Sequence, residues 1–456
     1  MSSTAVDGLE GAVKGRVVLQ GDEDYDEARA LFNAMIDKHP AAIAYCADEA
    51  DVAAAIAFAR ERGLRIAVRG GGHNGGGLGS VDDGLVIDLS AMNEITVDAA
   101  ARMARVGGGA VLKDVLAATD AYGLTLPVGI IGTTGVGGLT LGGGVGHLTR
   151  TFGLTIDNLI AATVVLADGS VVQCDATRDP DLFWAIRGGG GNFGIVTSFS
   201  FQLHPGTVAL AGPVLYDLDD AEDVLRWYRD FMPAQPDDLS GFFLFLTVPP
   251  GPPFPEELHM RPMCAVAWTQ VGEEESAALK EARAFGKPAL DGVSPLPIPA
   301  WNTAFDALYA PGDQWYWRGE FIREISDEAI AAHLDWGKRL PTWKSTMHLY
   351  AIDGAASRVG NDDTAWGYRD AKWAQVIAGV DPDPANAEAL AEWTRGYSDA
   401  IKPTAMGGGY VNFHMDEPDR VRGMYGSNYD RLAKVKAQYD PDNTFSVNQN
   451  IKPVAA

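Results

Sequence analysis

The chain has 456 residues, of which 46% are hydrophobic and 21% charged, proportions that exclude a disordered, fibrous or coiled-coil protein and leave a globular one with room for two or three lobes. Its 36 basic and 61 acidic residues give a net charge of −25, which repels nucleic-acid phosphate and anionic lipid and argues against either partner. Three cysteines, Cys46, Cys174 and Cys264, form no CxxC pair and read as packing thiols, not as a disulfide framework or a thiolate metal site.

The N-terminal stretch MSSTAVDGLEGAVKGR lacks the apolar core of a signal peptide, so the expected address is cytoplasmic. Residues 41–69 then read as strand, helix from about Glu49 with Asp48 as N-cap and Gly63 as stop, and strand, a βαβ start. GLVIDLS, ITVD and ARMARVGG follow as short strands, with a helix near Leu112 to Ala121. Residues 155–172 read as a strand pair turned by Asp168-Gly169. An alternating apolar strand ends at Pro205, where a boundary is expected. Residues 206–404 change in texture: fewer glycine runs, a proline-rich stretch at 249–255, most of the tryptophans, and helices near 219–232 and 273–286. The apolar run Gly241 to Val248 is far too short to span a bilayer. Asp362-Asp363 read as the cap of a helix starting near Thr364. GGGYVNFHMDE (407–417) reads as a glycine turn plus a strand, and a final helix is stopped by Asp440-Pro441.

Glycine is the informative count, with 53 in 456 residues, and 27 of them fall within 63–80, 107–109, 123–153 and 188–194. Gly70, Gly72 and Gly75 match GxGxxG after a strand, with Asp88 downstream, as in a dinucleotide-binding fingerprint. That fingerprint needs a crossover helix, yet only 14 residues separate Arg69 from Gly84, seven of them glycine, so no helix fits. A loop whose backbone N–H groups surround an anion such as a diphosphate does fit. The second stretch, GIIGTTGVGGLTLGGGVG (129–146), repeats this chemistry with Thr133, Thr134 and Thr140 interspersed. One such stretch alone is better explained as tight turns in a β-rich fold; the two together favour a large cofactor with two phosphates.

RGGGHN (69–74), LTLGGGVG (139–146), DLFWAIRGGGGNFGIV (181–196) and YDRLAKVKAQYDPDNTFSVNQNI (429–451) together resemble the berberine-bridge-enzyme-like FAD-linked oxidases of the vanillyl-alcohol-oxidase superfamily. The resemblance implies an α+β fold: a two-part PCMH-type FAD-binding domain made of residues 1–205 and completed by 405–456, plus a substrate domain (206–404) with an antiparallel sheet backed by helices. It implies covalent attachment of FAD through His73, whose neutral imidazole is a competent nucleophile. Around it the motifs point to Arg69, Gly70, Gly71, Gly72, Asn74, Gly79, Thr133, Thr134, Gly137, Gly138, Gly143, Gly194, Ile195, Asn448 and Asn450 as cofactor-binding. His147 either lines the cofactor or is a hydrogen-bonded interior histidine. Relatives with a second, cysteinyl link carry cysteine where this chain has Ile131, so a single covalent link is expected.

The implied activity is hydride transfer from a CH–OH or CH–NH carbon of a small or medium organic substrate to flavin N5, followed by reduction of O2 to hydrogen peroxide, in a monomer or homodimer. A dehydrogenase using another acceptor and a non-catalytic flavin protein are the alternatives. The resemblance puts the base at Tyr410, with Asn412 beside it, or at His348 and Tyr350, which share a strand face in MHLYAIDG. Half-ionising a phenol at pH 7 requires lowering its pKa by about three units, about 4 kcal/mol. Trp315, Tyr316 and Trp317 either line a pocket or fill the core. His414, Asp416 and Glu417 are read as solvated surface and no metal is expected. No GxSxG elbow or Walker lysine supports a hydrolase or a P-loop enzyme.

Overall fold

The computed structural model describes residues 6–415 and 417–454. Strand β1 (Val17–Leu19) pairs antiparallel with β2 (Ala42–Tyr45), helix α1 (Glu49–Arg62) crosses over to β3 (Ile66–Arg69), and β4 (Leu85–Asp88) lies parallel between β2 and β3. The Asp48 carboxylate caps α1 by accepting the Asp51 N–H at 3.0 Å, and Gly63 ends the helix at φ 64°. Asp48→Ala is expected to cost about 1 kcal/mol, seen as a lower urea midpoint at unchanged slope. Between β3 and β4 the chain is a loop without a helix, as its glycine content demands.

A second, antiparallel sheet follows. It comprises β5 (Ile95–Asp98), β6 (Met103–Gly107), β7 (Leu159–Val165), β8 (Val171–Asp175) and β9 (Ile195–Gln202), in the order β5-β6-β9-β7-β8, with helix α2 (Leu112–Asp120) between β6 and β7 in the chain. Asp168-Gly169 turns the β7–β8 hairpin. The third sheet contains β10 (Val208–Asp217), β11 (Leu239–Thr247), β12 (Pro262–Val271), β13 (Gln314–Ile322), β14 (Thr346–Ala351) and β15 (Trp373–Asp381), ordered β10-β12-β11-β14-β15-β13, with two short strands on the outer edge of β10.

Period-two alternation decides what this sheet faces. Phe243, Phe245, Val266, Trp268, Met347, Leu349 and Ile377 pack against helices α3 (Ala221–Phe231), α4 (Ala277–Arg283), α5 (Asp327–Gly337) and α6 (Ala387–Ile401). The intervening Phe242, Leu244, Ala265, Ala267, Tyr350 and Val376 join the core that continues into the second sheet. Every side chain of β14 is buried, so one of its faces must look into the body of the protein, and that face carries His348 and Tyr350.

Buried ion pairs tie the parts together. Arg369 bonds both oxygens of Asp157, at 2.9 and 2.7 Å, and Arg150 reaches Asp353 at 2.6 Å. Helix α7 (Tyr429–Tyr439) supplies Lys436, fully buried, whose Nζ donates to Asp440 (2.6 Å) and to the carbonyls of Asn192 (2.6 Å) and Phe445 (2.9 Å). The C-terminal segment is thus pinned beneath the loop GGGGN (188–192). All three cysteines are free and buried. Among the described residues no helix is long and apolar enough to cross a membrane.

Two expected elements do not form. No helix starts at Thr364: Asp363 instead accepts the Gly360 N–H (2.9 Å) and the Thr364 hydroxyl accepts from Arg369 (2.8 Å), so the segment is a loop shaped by the Arg369–Asp157 pair. The YVNF segment is not a strand either, because Val411–Phe413 is a 3₁₀ turn that begins at Tyr410.

Candidate active site

A cavity of about 320 Å³ runs between the glycine loops and the inner face of the third sheet, at the lower end of the range for small-molecule sites. The two loops meet backbone to backbone: a Cβ on Gly71 would lie 2.3 Å from the Gly135 nitrogen, and the converse holds equally. Only glycine at both positions allows this contact.

His73 lines the cavity, stacked on Phe32 (centroids 3.9 Å, 19°), with Nε2 3.0 Å from the Thr133 hydroxyl and Nδ1 3.4 Å from that of Thr134. Desolvation pushes its pKa down to about 4, so the imidazole is neutral at ordinary pH. Ile131 also borders the cavity, and among the described lining residues there is no thiol. Arg69 reaches the wall with its Nε paired to Asp88, while its Nη1 is buried and hydrogen-bonded to nothing in the protein.

The sheet side supplies a second set of polar groups. His348 Nδ1 lies 2.7 Å from the Tyr350 hydroxyl; burial lowers His348 to about 3 and raises Tyr350 well above an ordinary phenol. The His348 Nε2 is buried without a partner. Facing them, the Tyr410 oxygen accepts three N–H bonds, from Gly144 (3.0 Å), Val145 (3.2 Å) and the Asn412 side chain (3.1 Å). Burial raises the phenol and these donors work against it. Gly143 at φ +127° and Gly144 at φ +85° turn the two amides toward it, a backbone path that side-chain-bearing residues resist. The triple glycine of LGGGVG therefore serves a phenol oxygen, and in the same stretch Thr133 and Thr134 serve His73; the loop is also partly helical, over Val136–Leu141.

Most of the expected residues converge. Arg69, Gly70, Gly71, Gly72, His73, Asn74, Gly79, Thr134, Gly137, Gly138, Gly194, Ile195 and Asn448 border the cavity, as do His348, Tyr350, Tyr410 and Asn412. Thr133 and Gly143 stand one layer behind, against His73 and Tyr410. His147 does neither thing expected of it. It is buried with both ring nitrogens unpaired, packed on Trp301 (4.7 Å) beside a separate void of about 10 Å³, because its neighbours Leu148 and Val128 turn it into the apolar core. Asn450 lies outside the cavity wall, exchanging amide bonds with Asn443 (2.9 and 3.2 Å).

His414 is fully buried and bonds Glu417 at 2.8 Å, so it is not solvated surface; Asp416 lies outside the described residues. Among the described residues no group of three or more His, Cys, Asp or Glu side chains could hold a metal ion. Trp315 and Trp317 line the cavity, while Tyr316 turns outward to Arg395.

Phe32, Tyr309, Asn192 and Tyr425 were not singled out from sequence. Asn192 donates to the carbonyls of Gly189 (2.8 Å) and Gln449 (3.2 Å) and accepts from Ile451 (2.9 Å), joining two distant segments at the cavity wall. Its place between GGGG and FG was the available signal.

The wall fits FAD. Arg69 Nη1 offers an unspent charged donor for a diphosphate, glycines line the approach, and a neutral histidine able to act as a nucleophile stands in the same wall.

Comparison with known proteins agrees. The family model for the FAD binding domain matches residues 40–175, and that for berberine and berberine-like proteins matches 409–452. The chain is 34% identical to an uncharacterized FAD-linked oxidoreductase of Bacillus subtilis over 448 residues, covering 96% of this chain and 97% of the relative. It is 30% identical to (R)-6-hydroxynicotine oxidase of Paenarthrobacter nicotinovorans, covering 97% of each. Among solved structures, glucooligosaccharide oxidase from Acremonium strictum, described with a 6-S-cysteinyl, 8α-N1-histidyl FAD, gives a TM-score of 0.86 at 26% identity over all of both chains. The 6-hydroxy-D-nicotine oxidase from Arthrobacter nicotinovorans gives 0.86 at 28%, covering 97% of this chain and 98% of that one.

Proposed function

This chain belongs to the berberine-like family of FAD-linked oxidoreductases, and we propose that it is an oxidase with FAD joined to His73 alone, acting on a CH–OH or CH–NH centre with Tyr410 as base. When bound, FAD supplies the acceptor for a substrate hydride and passes the electron pair to dioxygen as hydrogen peroxide. Everything else falls to the protein. Neutral His73, oriented by Thr133 and Thr134, is the attaching nucleophile. Ile131 leaves the second attachment position without a thiol. Arg69 and the glycine amides hold the diphosphate. The apolar walls exclude water, and Tyr410 takes the hydroxyl or amine proton.

The observation that carries this reading is the phenol oxygen of Tyr410, gripped by three N–H donors in the wall that also holds a neutral His73. The test is acid precipitation of the purified protein, followed by a peroxide assay under air with a panel of alcohols, sugars and cyclic amines. The wild type is expected to keep its yellow colour in the pellet, and His73→Ala to release it to the supernatant. A wild type that loses its flavin to acid, or a His73→Ala protein that retains it, overturns the attachment.

A further inference from the structure

We propose, resting on the oxidoreductase reading above, that the substrate is an uncharged, largely apolar carbinol with an aromatic or alicyclic flank, held by its hydroxyl at His348. The observation is the chemical make-up of the wall around His348 and Tyr410. Trp315 stands at the centre of an aromatic cluster, with ring centroids 5.3 Å from Phe32, 5.2 Å from Tyr309 and 5.4 Å from Trp317, and Trp317 meets Phe413 edge-on at 6.0 Å. The strand β15 next to β14 adds only Val376 and Ala378 to the lining. Rings set edge-on and tilted leave faces for a further ring, and such a contact contributes about 0.5–1.5 kcal/mol beyond the area it buries.

Against this apolar ground three lining side chains of the sheet keep a buried polar atom without a partner, Nε1 of Trp315, Nε1 of Trp317 and Nε2 of His348, and of these only His348 stands on the strand that carries Tyr350. His348 spends Nδ1 on the Tyr350 hydroxyl, and its Nε2 is buried with no partner. Being neutral, the ring carries a single N–H: where the Tyr350 O–H donates to Nδ1 the proton sits on Nε2 and is offered to a substrate oxygen, and in the other tautomer Nε2 accepts from a substrate hydroxyl. A secondary carbinol would give that oxygen and pass its O–H proton to Tyr410, while FAD, when bound, would supply the acceptor for the C–H hydride, so that the ketone is left.

The two alternatives suggested by the relatives fit less well. A saccharide would bury several hydroxyls against a wall with few partners, at about 1–3 kcal/mol for each one left unpaired. A protonated amine needs a facing carboxylate. Among the described lining residues the only charged side chain is Arg69, which is a cation and is engaged with Asp88.

The test uses the holoprotein under anaerobic conditions with 1-phenylethanol and 1-(2-naphthyl)ethanol, against xylobiose and 6-hydroxynicotine. Binding is read from quenching of tryptophan fluorescence and perturbation of the flavin spectrum, reduction from bleaching of the flavin. The carbinols are expected to bind and bleach. His348→Phe is expected to weaken 1-phenylethanol about tenfold while leaving ethylbenzene, which lacks the hydroxyl, unchanged, and His348→Gln to restore part of the loss. Bleaching by xylobiose or 6-hydroxynicotine but by neither carbinol overturns the proposal and leaves the oxidoreductase reading standing. So does a His348→Phe protein that binds both aryl ligands as the wild type does. A bound flavin that no compound bleaches overturns both.

Discussion

Replacing Tyr410 by phenylalanine is expected to slow anaerobic flavin reduction about 10³-fold, about 4 kcal/mol of barrier, with the flavin still attached. The magnitude is that of a positioned base, and the geometry says why this oxygen is the one. A neutral phenol has two lone pairs and a proton of its own to place, whereas three N–H groups converge on Tyr410 Oη: Gly144, Val145 and Asn412. That set matches a phenolate, the form able to accept the substrate's proton. Burial opposes ionisation, so each donor matters to the working pKa. Asn412→Ala should therefore move the acid limb of the pH–rate profile to higher pH, because removing a donor to the anion favours the protonated phenol, and should leave the alkaline plateau closer to wild type than Tyr410→Phe does. A Tyr410→Phe rate within about threefold of wild type would place the base elsewhere, with His348 and Tyr350 the remaining polar pair.

The parts of the site written in local patterns were legible in the sequence, and those assembled from distant segments were not. Glycine clustering announced the loops because each approach, such as Gly71 on Gly135, forbids a side chain. Alternation placed His348 and Tyr350 on one face because β14 is a regular strand with one face turned inward. Tyr410 and Asn412 were paired for the wrong reason. They meet at the start of a 3₁₀ turn, where Asn412 bonds both the phenol and the Leu139 carbonyl, and not by strand alternation. His147 misled because a histidine after GGGVG looks like part of the glycine loop, while the chain has by then turned into the core beside Trp301. The aromatic cluster was legible only in part: Trp315 and Trp317 stand out in the sequence as pocket or core residues, but Phe32 joins them and Tyr309 from a segment hundreds of residues away, and no period connects the two.

Acidification should unfold this protein early, with three buried histidines alone contributing about 6 kcal/mol to the stability lost between pH 7 and pH 5. Three histidines, His147, His333 and His348, are buried and held by desolvation down to about 3, against 6.5 for the free group. Their folded pKa lies below the unfolded one, so between those values the unfolded chain binds more protons and stability rises with pH. The contribution is fully present above about 6.5 and is lost as pH falls toward 3. At pH 5 each costs about 2 kcal/mol, a large share for a fold whose total stability is of order 10 kcal/mol. Asp306 and Asp353, pushed up by burial, act with the opposite sign and offset part of the loss. Glu417, held below its usual value through its His414 bond and neighbouring arginines despite burial, adds to it at lower pH. His333 isolates the effect, since it sits between α5 and α6 with Nδ1 2.9 Å from the Tyr397 hydroxyl, away from the cavity. Urea unfolding of His333→Gln at pH 7 and pH 5 should show a pH-dependent loss smaller than wild type by about 2 kcal/mol, whatever the variant costs at pH 7 itself. Equal losses in the two proteins would mean that His333 protonates in the folded state without penalty, and that the space around its unpaired Nε2 admits water.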